Sequence, residues 1–512
     1  MDFLVIAIYM LGMLGIGWYA KRRAQTESDF LVAGRRLGPV LYASTMGALV
    51  MGGGATVGGV GLGYQFGISG MWLVFNMSLG VLLISVALAA RINRLRVYTV
   101  SQMLELRYGP GASLLSGGVM FCYTLMIAVT STIAYGAIFA VLFDFGKVPA
   151  ILLGGGVVVI YSTMGGMWSI TLTDFVQFVI KTIGMFAILL PLALLRSGGF
   201  EGLHANLPDT AFSLTHIGVG TIFTYFFLYV FTMVIGQDLW QRVFTARSDR
   251  VAKWAGTAAA AYGFCYALAG ALIGMSAKVL LPEIADRDDV YTEIVRYALP
   301  AGLAGLVVAG ALSAIMSTSS GALIATATVV KEDIVGIIRR DRTRAAKSAS
   351  APASAEPAQA DAAASGAHDE VGNSRWYILG FGLLMISIAC VLKDVIAGLT
   401  IAGAILVGGL LVSIIGGMIW QRGTLRGAIA SIVSGTVLTL GTMIVMRDIY
   451  ANLPIFIGLA GSLLSYLVVS LLDEPTPAAI LREWNRRSSP AQEQSTDVEG
   501  KTAEEVAYRT SV

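Results

Sequence analysis

The sequence predicts an all-α polytopic membrane protein of about thirteen transmembrane helices. Three observations carry that prediction. Hydrophobic residues fill 56% of the 512 positions and charged residues 13%, against roughly a quarter charged in soluble domains. Apolar runs of about 18–30 residues recur from end to end, each long enough to cross the hydrocarbon core as a helix. Cations gather in alternate loops, as the positive-inside bias requires.

The first run, 3–20, is followed by Lys21, Arg22 and Arg23. It has no basic segment before it and no small-residue cleavage site, so it reads as a retained span. The runs at 38–62, 70–90, 113–142, 148–165 and 170–195 follow, then 217–240, 253–281 and 301–330, then 376–394, 396–418, 425–446 and 451–472. Arg35 and Arg36, Arg91 to Arg107, Arg242 to Arg250, Lys331 to Arg344, and Arg422 with Arg426 fall in alternate loops, whereas "YQFGISG" and "DFGKVP" are poor in cations. That pattern places the N-terminus outside and the C-terminus in the cytoplasm of a multi-pass plasma (inner) membrane protein. The net charge of +3 is thus a topology signal and implies no nucleic acid; the lipid bilayer is the partner the composition demands. The Ala/Ser/Pro-rich stretch within 338–375 and the polar tail 473–512 cannot bury a core and read as unstructured connectors. Cys122, Cys265 and Cys390 fall inside spans without metal or redox spacing and read as small apolar fillers.

Two stretches break the lipid-like pattern. In "ALSAIMSTSSGALIATATV" (311–329), five hydroxyl residues sit in the middle of the ninth run. Ala314, Ser317 and Thr318 are spaced i, i+3, i+4, so one helix face offers a carbonyl beside two hydroxyl oxygens, a set suited to a hard cation. Close packing, or bonds back to the preceding turn, is the alternative reading. The second run carries Gly47, Gly52, Gly53, Gly54, Gly58, Gly59, Gly61 and Gly63, and each helix-interior Gly costs about 0.8–1 kcal/mol relative to Ala. Unwinding around 48–54 would turn the Ala48 and Met51 carbonyls toward a cation and free N–H groups of Gly52, Gly53 and Gly54 toward a substrate. Small-residue helix packing is again the alternative.

These residues resemble the sodium:solute symporter family over about residues 1–472. "AIMST" (314–318) is similar to its sodium-site helix, and "LGPVLYASTMGALVMGG" to the first core helix of proline-type carriers. "GGMWSITLTDFVQFVI" (165–180) and "GQDLWQRVFTARS" (236–248) match two further signatures. The resemblance implies a leucine-transporter-type 5+5 inverted repeat. Residues 1–37 would form a preceding helix and basic loop, 38–195 the first repeat, 196–418 the second with its linker, and 419–472 two further helices. It also implies Na+ as coupling ion, no organic cofactor, and a monomer that works by alternating access. Sodium would be held by Ala48, Met51, Ala314, Ser317 and Thr318. A second sodium would lie at Asp174, Ser317 and Ser320, although Gly321 stands where a further serine would help; a structural role for Asp174, bonding backbone or pairing with a loop arginine, is the alternative reading.

The solute is less legible. Val50 stands where proline carriers have an aspartate, and the third run offers a sugar only Trp72 and Asn76. Lys181, about 16 Å into the sixth run, lies at a depth where ions are costly and functional. It would counter a substrate carboxylate, partner an internal one, or stand in for a second sodium. Tyr225 and Tyr229 would wall the pocket or simply pack. A carboxylate, amino acid or vitamin-like anion is therefore expected ahead of a sugar or nucleobase/ureide. An enzyme is not expected, because His204, His216 and His368 lie in loops or near a span end. No nucleotide-binding loop is present, and the tail is too short for the kinase domain of a transporter-like sensor.

Overall fold

Inside a bilayer every backbone polar group has to be satisfied within the protein, and the chain meets that demand with helices. The computed structural model describes residues 1–109, 111–143, 146–338, 361–392, 395–448 and 451–489. The long helices are α1 (Asp2–Lys21), α2 (Pro39–Val50), α3 (Gly59–Phe66), α4 (Trp72–Leu83), α5 (Ala112–Phe143), α6 (Lys147–Thr182), α7 (Phe231–Ile235), α8 (Gln237–Val243), α9 (Asp249–Leu280), α10 (Leu303–Val329), α11 (Asp361–Val391), α12 (Val395–Ile419), α13 (Leu425–Met446) and α14 (Leu453–Leu472), with shorter pieces between. Among the described residues the only β feature is an isolated bridge, Leu37 with Ala246, which joins the loop before α2 to the loop after α8.

Ten helical stretches are long and apolar enough to cross a membrane, or eleven if the bent pair Val219–Ile235 and Gln237–Val243 counts as one. Two of the ten, Gly54–Leu95 and Lys147–Arg196, run for 42 and 50 residues. At 1.5 Å per residue each is about twice the hydrocarbon thickness. Each also contains a glycine with non-helical backbone, Gly67 (φ 63°) and Gly166 (φ 52°). A Cβ at Gly166 would collide with the Phe30 carbonyl, so only glycine allows both that φ and that approach.

α10 is the central helix. It packs against α1, α5, α6 and α11, and nearly all of it is buried, whereas α13 and α14 are mostly exposed to the surroundings. Its N-terminus is clamped by the other end of the chain: the Asp2 carboxylate accepts the N–H groups of Gly302 (2.5 Å) and Gly305 (2.9 Å), a helix-terminus cap that spans the bundle. α1 is held along its length as well, Gln177 Nε2 donating to Tyr9 Oη at 3.2 Å.

Two expectations are corrected. The segment expected to be unstructured at 338–375 is helical from Asp361 onward, continuous with the span that follows; 339–360 lie outside the described residues. In the tail, Ala478–Ser488 forms helix α15, because Trp484 supplies a buried anchor beneath the Arg91 guanidinium, 5.2 Å from its ring. Residues 490–512 lie outside the described residues.

Candidate functional site

The glycine-rich second run does break. α2 ends at Val50, Met51 leaves helical geometry (φ −86°, ψ 57°), and helix resumes after Gly52 through a π-turn at Gly54–Gly58. The break is shorter than the 48–54 expected. It sits against the middle of α10: a Cβ on Gly52 would run into the Thr318 side chain, so the two helices touch where only glycine fits. Most of the other glycines serve packing: a Cβ at Gly63 would stand 2.7 Å from the Ala271 backbone, so only glycine allows that approach.

The five hydroxyls in the middle of α10 separate into two groups. Ser313, Ser319 and Ser320 donate back to carbonyls of their own helix, at 2.7 Å to Ala309, 3.0 Å to Ile315 and 3.2 Å to Ser317. Ser317 and Thr318 reach across to the break, donating to the Ala48 carbonyl at 2.8 Å and the Leu49 carbonyl at 2.6 Å. Both also approach the Ala314 carbonyl, at 3.0 and 3.3 Å. Ala48, Ala314, Ser317 and Thr318 therefore meet in one place.

Lys181 completes that place in a way the spacing did not require. Its Nζ donates to the carbonyls of Gly47 (3.1 Å), Ala48 (3.1 Å) and Met51 (3.3 Å). An ammonium has three donors, and all three are engaged. Lys181 is thus turned to the break's carbonyls.

In the second cluster Asp174 makes the arginine pairing, one of the two readings open to it. Asp174 is fully buried and accepts from Thr45 Oγ1 and from Arg242 Nη2 (3.3 Å), while Ser320 bonds back along its own helix. Arg242, expected among the loop cations, lies instead on the short buried helix α8 with 0% side-chain exposure. Its guanidinium takes the room opposite Gly321, where a Cβ would stand 2.6 Å from Nη2. A serine there would collide with the arginine, which explains the glycine. Arg242 and the second broken helix, bent by 45° at Gly236 between α7 and α8, are the elements sequence reasoning missed. The "GQDLWQR" stretch held the signal, but its polarity reads as loop when burial is unknown.

Beside the break lies a cavity of about 30 Å³ lined by Gly52, Gly53, Gly54, Thr130, Ser131 and Thr318, with apolar Val50, Met77 and Leu399. No charged side chain lines it. Thr130 and Ser131 on α5 were not anticipated. Asn76 is buried with an unpartnered Nδ2. Trp72 is turned away, donating to the Leu214 carbonyl at 2.7 Å. Tyr225 and Tyr229 stack edge to face, with Tyr229 Oη 3.5 Å from Thr400. None of these four lines the cavity.

Comparison with known proteins accounts for this arrangement. The model of the sodium:solute symporter family matches residues 30–353. The chain is 25% identical over 497 residues to the high-affinity proline transporter PutP of Bacillus subtilis (strain 168), covering 92% of this chain and 98% of that one. It is 26% identical over 364 residues to the sodium/proline symporter of Staphylococcus aureus (strain JH9), covering 66% and 69%. Among solved structures, a Na+-coupled sialic acid symporter in a substrate-bound outward-open state superposes with a TM-score of 0.77 at 18% identity, over 93% of this chain and 98% of that one. Mhp1, a nucleobase-cation-symport-1 family transporter in a closed conformation, gives 0.51 at 14% identity, over 90% and 98%. The broken second run, the hydroxyl-bearing α10 against it and the shared fold have one common explanation: the chain belongs to the sodium:solute symporter family.

Proposed function

We propose that this sodium-coupled symporter imports a small solute bearing a carboxylate, binding it at the second half of the broken helix. The observation that carries this reading is the cavity at Gly52–Gly54, whose polar lining is hydroxyls and backbone. The N–H groups that open a helix have no carbonyl a turn below, and the helix dipole adds positive potential there. A carboxylate suits that end without a cationic side chain. A sugar would bring many hydroxyls to a wall with few partners, and unpaired polar groups are costly. Named relatives support the class, since proline and sialic acid both carry a carboxylate. Sodium binds among Ala48, Met51, Ala314, Ser317 and Thr318 as a co-substrate. The 30 Å³ cavity is smaller than such a solute, so the surrounding helices part to admit it, as alternating access requires.

The remaining architecture follows the same reading. Dividing each of the two overlong stretches at Gly67 and Gly166 raises eleven spans to thirteen, arranged as a 5+5 inverted repeat after the first helix. The cation bias sets the N-terminus outside and the C-terminus inside a multi-pass plasma membrane protein that acts as a monomer and catalyses no reaction.

The test is uptake into proteoliposomes of the purified full chain under an inward sodium gradient, with choline as control. The panel comprises radiolabelled proline, other amino acids, monocarboxylates, sialic acid, sugars and nucleobases. Sodium-driven uptake confined to carboxylates is the expected result. Uptake of sugars alone would overturn the substrate class, and uptake indifferent to sodium would overturn the coupling.

A further inference from the structure

We propose that the ammonium of Lys181 is a tethered cation resident in the sodium position, so that sodium binds there only by displacing it. The inference rests on the reading of Ala48, Met51, Ala314, Ser317 and Thr318 as that position. Two of the three carbonyls that accept from Lys181 Nζ, Ala48 and Met51, are also two of the three carbonyls of the expected sodium cage. The third, Gly47, is the residue before them. The cage's serine is bonded to one of the same oxygens, Ser317 Oγ to Ala48 O at 2.8 Å.

Lys181 has the means to hold this position. It is 2% exposed and at the C-terminal end of α6, and its backbone is pressed by α10, where a Cβ on Gly310 would lie 3.2 Å from Lys181 Cα. Its helix has one acidic residue, Asp174, and that carboxylate is paired with Arg242 instead. The ammonium therefore contacts backbone carbonyls directly and feels Asp174 only through space. Its three N–H groups match three acceptors, and one positive charge replaces another. A sodium ion cannot share those oxygens with the ammonium: like charges at contact distance repel strongly in a site this dry. The chain thus carries its own competitor for the ion, which ties the end of α2 to α6 when no sodium is bound and raises the sodium concentration needed to take over.

The experiment reads sodium binding directly. The detergent-purified full chain is melted across a series of NaCl concentrations at constant ionic strength, with choline chloride as the balancing salt. Lys181→Met is expected to lower the sodium concentration that gives half the maximal shift by at least tenfold relative to the unaltered chain. Ser317→Ala added to Lys181→Met is expected to abolish the gain, which places the ion in this cage. An unchanged sodium response in Lys181→Met, or a gain that survives Ser317→Ala, overturns the proposal. If Lys181→Met does not accumulate, Lys181→Gln takes its place. Recovery of folded protein only in sodium medium supports the exchange, and failure of both variants in sodium and choline alike makes Lys181 a structural strut and overturns it. Uptake assays separate this from the function itself. If uptake by the unaltered chain ignores sodium while Lys181→Met gains a sodium response, the lysine's role stands and the sodium coupling of the unaltered chain falls. Sodium-driven uptake with an unmoved Lys181→Met does the reverse.

Discussion

Replacing Arg242 by methionine tests the buried charge balance around Asp174. Both side chains are 0% exposed, and their single contact is 3.3 Å long. The pair is imperfectly satisfied: Asp174 Oδ1 and Arg242 Nε and Nη1 have no hydrogen-bond partner. Removing one member of a buried pair leaves an uncompensated charge and costs about 3–5 kcal/mol, whereas replacing both by groups of similar volume is often neutral. With three polar atoms already unpartnered, the cost of Arg242→Met should fall near the lower end, about 3 kcal/mol. Asp174→Asn together with Arg242→Met should cost less than Arg242→Met alone, because asparagine can still accept from Thr45 and carries no charge. The assay is a double-mutant cycle on the unfolding of the detergent-solubilised full chain. A single substitution that costs under about 1 kcal/mol, or a strictly additive double, would refute the claim that these charges depend on each other.

The bridge between the break and α10 gives two further predictions. Ser317→Ala and Thr318→Ala each delete a hydroxyl bonded across to Ala48 or Leu49, worth about 1 kcal/mol, so each should raise the sodium concentration for half-maximal uptake roughly fivefold. Thr318→Ser should be nearly silent, and wild-type sodium dependence in both alanine variants would remove these hydroxyls from the ion's site. Gly52→Ala should cost about 1–3 kcal/mol through overpacking, since its Cβ meets Thr318 at the side chain's branching carbon, 2.7 Å away. Combining it with Thr318→Ala, which deletes the hydroxyl that the new Cβ meets first as well as the methyl 3.1 Å away, should recover part of that loss in the same unfolding assay.

The sequence made the membrane class readable because hydropathy is a property of long windows, and a window averages over local detail. The turns between paired runs were legible as well: Gly67 and Gly166 fall in the gaps 63–69 and 166–169 that separate the second run from the third and the fifth from the sixth. In the second run, glycine density pointed to an unwound centre, but only Gly52 marks the break, and Gly63 is there to let α9 approach. Glycine means either open backbone or close packing, and the distinction needs the neighbouring helix. The i, i+3, i+4 spacing brought Ala314, Ser317 and Thr318 to one face because helix geometry fixes it. What Lys181 and Arg242 do depends on partners that lie 130 and 68 residues away, and no local pattern encodes those distances. Trp72, Tyr225 and Tyr229 are pocket candidates by residue type, and the contacts they make, Trp72 with the Leu214 carbonyl and the two tyrosines with each other, are not encoded in that type.

The Asp2 clamp has a consequence for how the protein is made. Its donors, Gly302 and Gly305, leave the ribosome about 300 residues after it, which at roughly 5–20 residues per second is a delay of about 15 to 60 seconds. Through that interval the carboxylate has only water to solvate it, so the leading end of the first helix is held at the aqueous boundary and cannot sink into lipid. Docking of that end then waits for the ninth span to insert. The residues around Asp2 are thus among the last to find their place, although they are made some 300 residues before their partners.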